Sequence, residues 1–177
     1  MRLKAVIAIV TLLCVLMAAD CSCGDSLESR YAMIIYDSDD LLKEFNSGIR
    51  LGSLSYLMKN KSNMTVSDEV RNKVDIIAEK VQLVLEMFPK TLKFRVVLLA
   101  SASEVRKVYK GRYGKDVSFI SFYAPVEKTV YVSTDDVNLR IFGHELAHAV
   151  IDQYFKVSPA VKIHELLAKF AESHLED

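Results

Sequence analysis

Two histidines and a glutamate are the residues of this sequence whose types and spacing best suit chemistry. His144 and His148 lie four residues apart in the stretch HELAH, and Glu145 directly follows the first histidine. On a helix, residues four apart face the same side, so the two imidazoles can bind one metal ion. Glu145 is rotated by about 100° around such a helix, which places its carboxylate near a metal-bound water. Because zinc lowers the pKa of that water toward about 7, the spacing predicts peptide-bond hydrolysis with Glu145 as catalytic general base.

The same five residues have a simpler interpretation, an ordinary helix that carries two unrelated histidines, because the motif is short enough to occur by chance. Two observations favour a metal site. The chain has only four histidines, and two of them have this spacing. Gly143, Ala147 and Ala149 are small, so another element can pack closely against the helix.

A catalytic zinc needs a third protein ligand and one open position. The pattern H-E-x-x-H-x-x-G-x-x-H does not supply it, because Ile151 and Tyr154 stand at the glycine and third histidine positions and no methionine follows residue 87. A glutamate on the next helix can supply it. His148 and Glu165 each lie about 10 Å from the link between the two predicted helices, and helix axes about 8–10 Å apart allow a shared metal.

His164 is the main rival to Glu165 as third ligand. It lies one residue earlier, at nearly the same height, but its side chain points about 100° away. Both residue types bind zinc, so both stay open, with Glu165 favoured because Ala168 one turn later permits close approach of the helices. Glu172 and His174 lie two or more turns further along and are poorer candidates.

Two stretches resemble a known family of zinc peptidases. HELAHAV followed by HELLAKFAE is similar to the gluzincin pattern, H-E-x-x-H and then E-G-x-A-x-[YF] on the next helix. The preceding KFRVVLLASASEVRKVYKGRYG and SFYAPVEKTVYVS look like the strand–helix–strand–strand lead-in of peptidase MA-like proteins, so the resemblance covers roughly residues 68–177. It implies an α+β, zincin-like fold in which a small mixed β-sheet packs on an active-site helix and a C-terminal glutamate-bearing helix. It also implies one zinc ion per chain, held by His144, His148 and Glu165, with Glu145 as general base.

The resemblance further implies how a peptide or protein substrate would bind. The strand over residues 128–133 would lie at the rim of the cleft, and the substrate would pair with its free edge at Val130, Tyr131 and Val132. Tyr131 or Tyr154 would be available to stabilise the oxyanion, although no motif selects one of them.

Three departures from the family pattern weaken the prediction of catalysis more than that of zinc binding. Leu166 replaces the usual glycine, and Lys169 stands where several members have a polar partner for a zinc histidine. Only 12 residues follow Glu165, which excludes a C-terminal subdomain with further transition-state donors. The alternative is a catalytically weak or inactive metal-binding envelope protein that retains the fold. A latent enzyme, with the tail SHLED folded over the site, is a third possibility.

The N-terminus has the pattern of a secretory leader. A basic start, MRLK, precedes an apolar run of 15 residues over 5–19, which is shorter than the roughly 20 residues of a membrane span. The pattern predicts a signal peptide over 1–23, an exported protein, and one domain over 24–177; a lipid anchor at Cys21 and an uncleaved anchor are the alternatives. All three cysteines lie in this leader, so no disulfide or thiolate site is expected. The remaining 21 basic and 22 acidic residues give a net charge of −1, which does not favour a nucleic-acid partner.

Hydrophobic periodicity and capping residues predict the elements that would position this site. The expected order is β-α-(unassigned 50–65)-α-β-α-β-β-α-α, an α+β arrangement with a C-terminal helix pair. The individual predictions are a strand over 31–37; a helix after Ser38; a helix over 68–88; a strand over 92–100; a helix capped by Ser101 and Glu104; two strands joined near Pro125; a helix from Thr134 with Asp135 and Asp136 in its first turn; and a helix opened by Ser158 and Pro159.

Overall fold

The computed structural model describes residues 24–59 and 61–177, and the predicted leader over 1–23 lies outside them. Within this part of the chain, five strands form one mixed sheet and five α-helices surround it, which confirms the α+β prediction. The strands are β1 (Asp25–Glu28), β2 (Ala32–Tyr36), β3 (Phe94–Leu99), β4 (Ser121–Ala124) and β5 (Thr129–Ser133). The helices are α1 (Asp39–Gly48), α2 (Val66–Leu85), α3 (Ala102–Tyr113), α4 (Leu139–Tyr154) and α5 (Val161–Ser173), with 3₁₀ segments at Gly52–Met58 and Pro125–Glu127.

The strand order across the sheet is β1-β2-β3-β5-β4. The three central strands are parallel, and β1 and β4 pair antiparallel at the two edges. The register of β3 and β5 sets Val96 opposite Val130 and Leu98 opposite Val132, and all four side chains are buried. Strands covered on both faces read as continuous apolar runs, which explains why the sequence signal of β3 and β5 was strong.

Helices cover both faces of the sheet. Alternate residues of β3, Val96 and Leu98, face the main core, which α1, α2 and α4 complete. Val97 and Leu99 face the opposite side, where α3 and a smaller aromatic cluster lie. No helix in the described segments is long and apolar enough to cross a membrane.

Local capping explains where most helices begin and end. The hydroxyls of Ser38, Thr65 and Ser101 each accept a hydrogen bond from a backbone N–H in the first turn of the following helix. The predicted cap at Ser101 is confirmed, because Ser101 accepts from the Glu104 N–H at 3.4 Å. The second bond of the predicted capping box is displaced by one residue, because the Glu104 carboxylate accepts from the N–H of Ala100 rather than of Ser101, at 2.9 Å. Helix α2 ends at Leu85 rather than at 88, because Glu86 adopts a left-handed conformation with φ of 53°.

Two predicted helix starts are wrong. Thr134 does not cap α4, because its hydroxyl donates to Glu44 at 2.9 Å; Asn138 is the cap and accepts from the first-turn N–H groups of Arg140 and Ile141. Asp135 and Asp136 therefore lie before the helix rather than in its first turn. Helix α5 begins at Val161 after Ala160 with no side-chain cap, so Ser158 and Pro159 belong to the link.

Two segments had no strand or helix prediction, and one predicted strand is shorter than expected. The strand β1 is polar, with Leu27 as its single buried residue, and backbone pairing with β2 rather than hydrophobic pattern defines it. The unassigned 50–65 region contains the 3₁₀ helix Gly52–Met58. Residues 117–120 are irregular, and β4 covers only Ser121–Ala124.

Candidate metal centre

The site is built on α4 and α5, which are consecutive in the chain and pack against each other. Small residues make the contact close: Ala147, Ala168 and Ala171 are fully buried at 0% exposure. A Cβ added at Gly143 would collide with the side chain of Leu175, which is itself fully buried. The expectation that small residues around the motif allow close packing is therefore confirmed.

The two helices bring the predicted ligands together. The Nε2 atoms of His144 and His148 lie 3.1 Å apart. The Glu165 carboxylate oxygens lie 3.7 Å from Nε2 of His144 and 3.6 Å from Nε2 of His148, and all three ligand atoms lie within 4.8 Å of one another. Zinc with bonds of about 2.0–2.1 Å and tetrahedral angles separates its ligand atoms by about 3.3 Å, so these residues fit a zinc ion.

The second ring nitrogen of His144 has a carboxylate partner. Its Nδ1 lies 3.0 Å from Oε2 of Glu172, the arrangement in which an outer carboxylate orients a metal-binding histidine and makes it more basic. Glu172 lies seven residues after Glu165 and so shares its face of α5. In the sequence, Glu172 was only a poor candidate for a metal ligand. Its spacing of seven residues from Glu165 nevertheless indicates that the two carboxylates lie on the same face of α5. Lys169 is exposed on the outer surface of the helix.

His164 does not join the ligand atoms. Its ring stacks on that of His148, with centroids 5.0 Å apart, and the two Nδ1 atoms lie 2.8 Å apart. His164 therefore lies against the Nδ1 side of the His148 ring, whereas the Nε2 side faces His144 and Glu165. Burial, with the neighbouring His144 and His164, lowers the pKa of His148 to about 3. His148 is thus neutral at physiological pH, the state in which imidazole binds zinc.

Glu145 is held to one side of the ligand cluster in a buried position. The hydroxyl of Ser121 on β4 donates to Oε1 of Glu145 at 2.7 Å. Burial raises the pKa of Glu145 to about 7, although the bonds from Ser121 and the Tyr123 backbone and the nearby His144 act in the opposite direction. No sequence motif pointed to Ser121, because its approach to Glu145 depends on how β4 packs on α4.

The predicted substrate strand is wrong. The strand β5 lies between β3 and β4, so neither edge is free, and Val130, Tyr131 and Val132 are buried. Of the two edge strands, β4 is the one beside the cleft, and its Ser121, Phe122 and Tyr123 line the cleft. The family resemblance implied that the apolar strand over residues 128–133 lies at the rim. Apolar strands, however, prefer the centre of a sheet.

Neither tyrosine considered for the oxyanion lines the cleft. The Tyr131 hydroxyl donates to Glu127 at 2.8 Å and accepts from Arg112 at 2.5 Å. Tyr154 is exposed near the end of α4. Two other tyrosines line the cleft, Tyr109 and Tyr123, and the Tyr123 hydroxyl donates to Asp152 at 3.0 Å.

The predicted placement of the tail SHLED over the site is also wrong. Leu175 packs against Gly143, and the Glu176 carbonyl accepts a hydrogen bond from the Ser53 hydroxyl at 2.8 Å. None of these residues lines the cleft.

The candidate ligands His144, His148 and Glu165 lie with Glu145 along a cleft of about 440 Å³. One wall comes from α3, β4 and the segment between them, and the other comes from the link between α4 and α5. No family model matches the chain, and no curated protein and no solved structure matches it. What the chain does is therefore inferred from the geometry of these residues.

Proposed function

We propose that the protein is a zinc-dependent metallopeptidase of gluzincin type with a zincin-like fold. The observation that carries the proposal is the convergence of His144, His148 and Glu165 from two packed helices. Glu145, adjacent in sequence, is held in the same cleft by Ser121 without joining the ligand atoms. Three ligands with a separate carboxylate beside them are the donor set of a catalytic rather than a structural zinc site.

Each residue of the site has a role in this proposal. When bound, zinc would lower the pKa of water and polarise the carbonyl of the peptide bond. Glu145 accepts the proton and passes it to the leaving nitrogen. Ser121 donates to the Oε1 atom of Glu145 and so restricts the rotation of that carboxylate. Glu172 and His164 hold the rings of His144 and His148 in place.

The substrate backbone has a place to bind at the free edge of β4. Strand addition supplies main-chain hydrogen bonds to an extended peptide and leaves its alternate side chains pointing to opposite sides. Because β4 carries Ser121 and also forms one wall of the cleft, a peptide paired there passes beside Glu145. The leader pattern over residues 1–23 would place this activity outside the cytoplasm, in the envelope or medium.

Metal content and hydrolysis test the proposal together. We expect one zinc per chain in the wild type, and loss of zinc in His148→Ala and Glu165→Ala, measured by elemental analysis. His174→Ala is the matched histidine control, because His174 lies outside the cleft. Glu145→Gln should keep zinc and lose hydrolysis of a mixed peptide pool. Hydrolysis retained in Glu145→Gln contradicts the mechanism. Zinc retained in Glu165→Ala contradicts the proposed set of ligands.

A second candidate function is a zinc-binding protein with little or no catalysis. The observation in its favour is that the Tyr131 and Tyr154 hydroxyls lie outside the cleft, while the hydroxyl of Tyr123, one of the two tyrosines that line it, is engaged by Asp152. Fully zinc-loaded protein that cleaves no member of a broad peptide and protein pool would favour this function.

A further inference from the structure

The walls of the cleft differ from its floor in charge. The floor carries the ligand histidines, His164 and two glutamates, whereas the walls carry no ionisable acid or base with a charge at neutral pH. One wall presents Tyr109, Phe119, Phe122 and Pro125, and the facing wall presents Pro159 and Val161. A charged side chain between these walls would lose hydration without gaining a partner, which is costly.

The aromatic wall is backed by packed rings. Tyr109 meets Phe119 edge-on, with centroids 5.2 Å apart, and Phe122 edge-on at 5.0 Å. Phe122 in turn stacks on Tyr131 at 4.9 Å. Phe122 is 6% exposed and Phe119 is 45% exposed, so Phe119 is the member of this cluster with surface available to a ligand. Its contact with Tyr109 restricts the ring, which limits the entropy lost when a ligand packs on it.

The facing wall is open and apolar as well. Val161 is 77% exposed at the first turn of α5, four residues before Glu165. A volume of about 440 Å³ falls within the range of about 300–1,000 Å³ usual for ligand sites. A peptide with its reacting carbonyl at the proposed metal ligands and its backbone on β4 would bring a neighbouring side chain into the cleft that Phe119 and Val161 line.

We propose that the cleft selects a large uncharged side chain, aromatic or branched aliphatic, at a substrate residue adjacent to the cleaved bond, and that Phe119 is the specificity-determining residue. This inference rests on the metallopeptidase function proposed above. It adds a substrate class, peptides with a bulky apolar residue beside the cleaved bond.

Peptide hydroxamates test the selection without requiring turnover, because the hydroxamate chelates zinc while one side chain probes the walls. A series with benzyl, isobutyl, methyl, carboxymethyl and aminobutyl side chains would be titrated into zinc-loaded protein by calorimetry. We expect the benzyl and isobutyl members to bind at least about tenfold more tightly than the others, the scale of discrimination that an apolar pocket achieves. Equal binding of the carboxymethyl or aminobutyl member overturns the inference.

Variants at Phe119 test its role. Phe119→Ala should cost about tenfold in affinity for the benzyl member and little for the methyl member. Phe119→Lys should reverse the order of the benzyl and carboxymethyl members. Phe88→Ala is the matched control, because Phe88 is a 58% exposed phenylalanine outside the cleft. An unchanged order of affinities in both Phe119 variants overturns the assignment.

The failures of the two proposals are distinguishable. Apolar selection among the hydroxamates with no cleavage of any peptide leaves the inference standing and contradicts the peptidase function. Cleavage of peptides without regard to side chain supports the peptidase function and contradicts the inference of apolar selection. If the protein holds no zinc, N-acetyl amino-acid amides titrated by NMR test the inference instead. Changes in the backbone N–H chemical shifts of Phe119 and Val161 with the phenylalanine derivative alone support the inference. Changes with the aspartate or lysine derivative contradict it.

Discussion

The Nδ1 atom of His144 lies 3.0 Å from a carboxylate oxygen of Glu172, on the side of the ring opposite the other ligands. The carboxylate therefore fixes the tautomer in which Nδ1 carries the proton and Nε2 faces the metal position. Glu172 lies three residues after Lys169 in α5. The gluzincin pattern would place the polar partner of the zinc-binding histidine at position 169.

Removal of this carboxylate should weaken zinc binding. In Glu172→Ala, we expect zinc affinity to fall by about 10–100-fold, because His144 loses the carboxylate that orients its ring. Competition with a chromophoric chelator measures the change. Lys169→Ala is the control, and its affinity should match the wild type. A loss in Lys169→Ala equal to that in Glu172→Ala would mean that the outer surface of α5, rather than this bond, controls the metal.

Ser121 should affect turnover without affecting zinc. The Ser121 hydroxyl holds Glu145 at 2.7 Å, so Ser121→Ala should lower kcat by about tenfold through a less well placed general base, with metal content unchanged. Ser121→Thr keeps a hydroxyl and should recover part of the loss. Ser133→Ala removes a buried hydroxyl from β5, outside the cleft, and should leave kcat unaltered. A change in KM alone would assign Ser121 to substrate binding instead.

The metal-free chain should show opposing pH effects from two buried groups. Burial raises the pKa of Glu145 to about 7, so its contribution to stability is present below its ordinary pKa of 4.5 and is lost as pH rises toward 7. Burial lowers the pKa of His148 to about 3 from 6.5, so its contribution is present above 6.5 and is lost as pH falls toward 3. Between pH 4.5 and 6.5 the two slopes therefore partly cancel in the wild type.

Glu145→Gln removes one of these slopes. The free energy of unfolding of the chelator-treated variant should then rise with pH between about 4.5 and 6.5 more steeply than that of the wild type, by up to about 1.4 kcal/mol per pH unit. Urea unfolding at several pH values measures both slopes. Parallel curves for the two proteins would mean that Glu145 has an ordinary pKa in the folded chain.

Gly143 should be required for the packing of the two site helices. Gly143→Ala forces Leu175 or α5 to move, and overpacking of this kind costs about 1–3 kcal/mol. Gly111→Ala is a matched control, because a Cβ there meets no atom within 4 Å in helix α3; alanine should stabilise that helix by about 0.5–1 kcal/mol. Thermal unfolding compares the two. Equal effects in both variants would contradict the close contact at Gly143.

The local part of the site could be predicted because it depends on helix geometry alone. Residues four apart share a face in any helix, so the alignment of His144 and His148 followed from spacing. Glu165 followed from equal distances to the link, even though α5 begins at Val161 rather than Pro159. A helix start two residues later moves Glu165 by about 3 Å relative to the link, which is less than one helical turn, so Glu165 still meets His148.

The sequence by itself determined the features whose signals are local: the strands β3 and β5, the helices with a serine or threonine cap, and the shared face of His144 and His148 on α4. Only the tertiary structure decided which strand occupies the free edge, which carboxylate supports His144, and that Ser121 reaches Glu145. These depend on contacts between residues far apart in the chain. The apolar residues of β5 indicate that the strand is buried. Whether it is buried at the centre of the sheet or at the rim of a cleft depends on the strands and helices that pack around it.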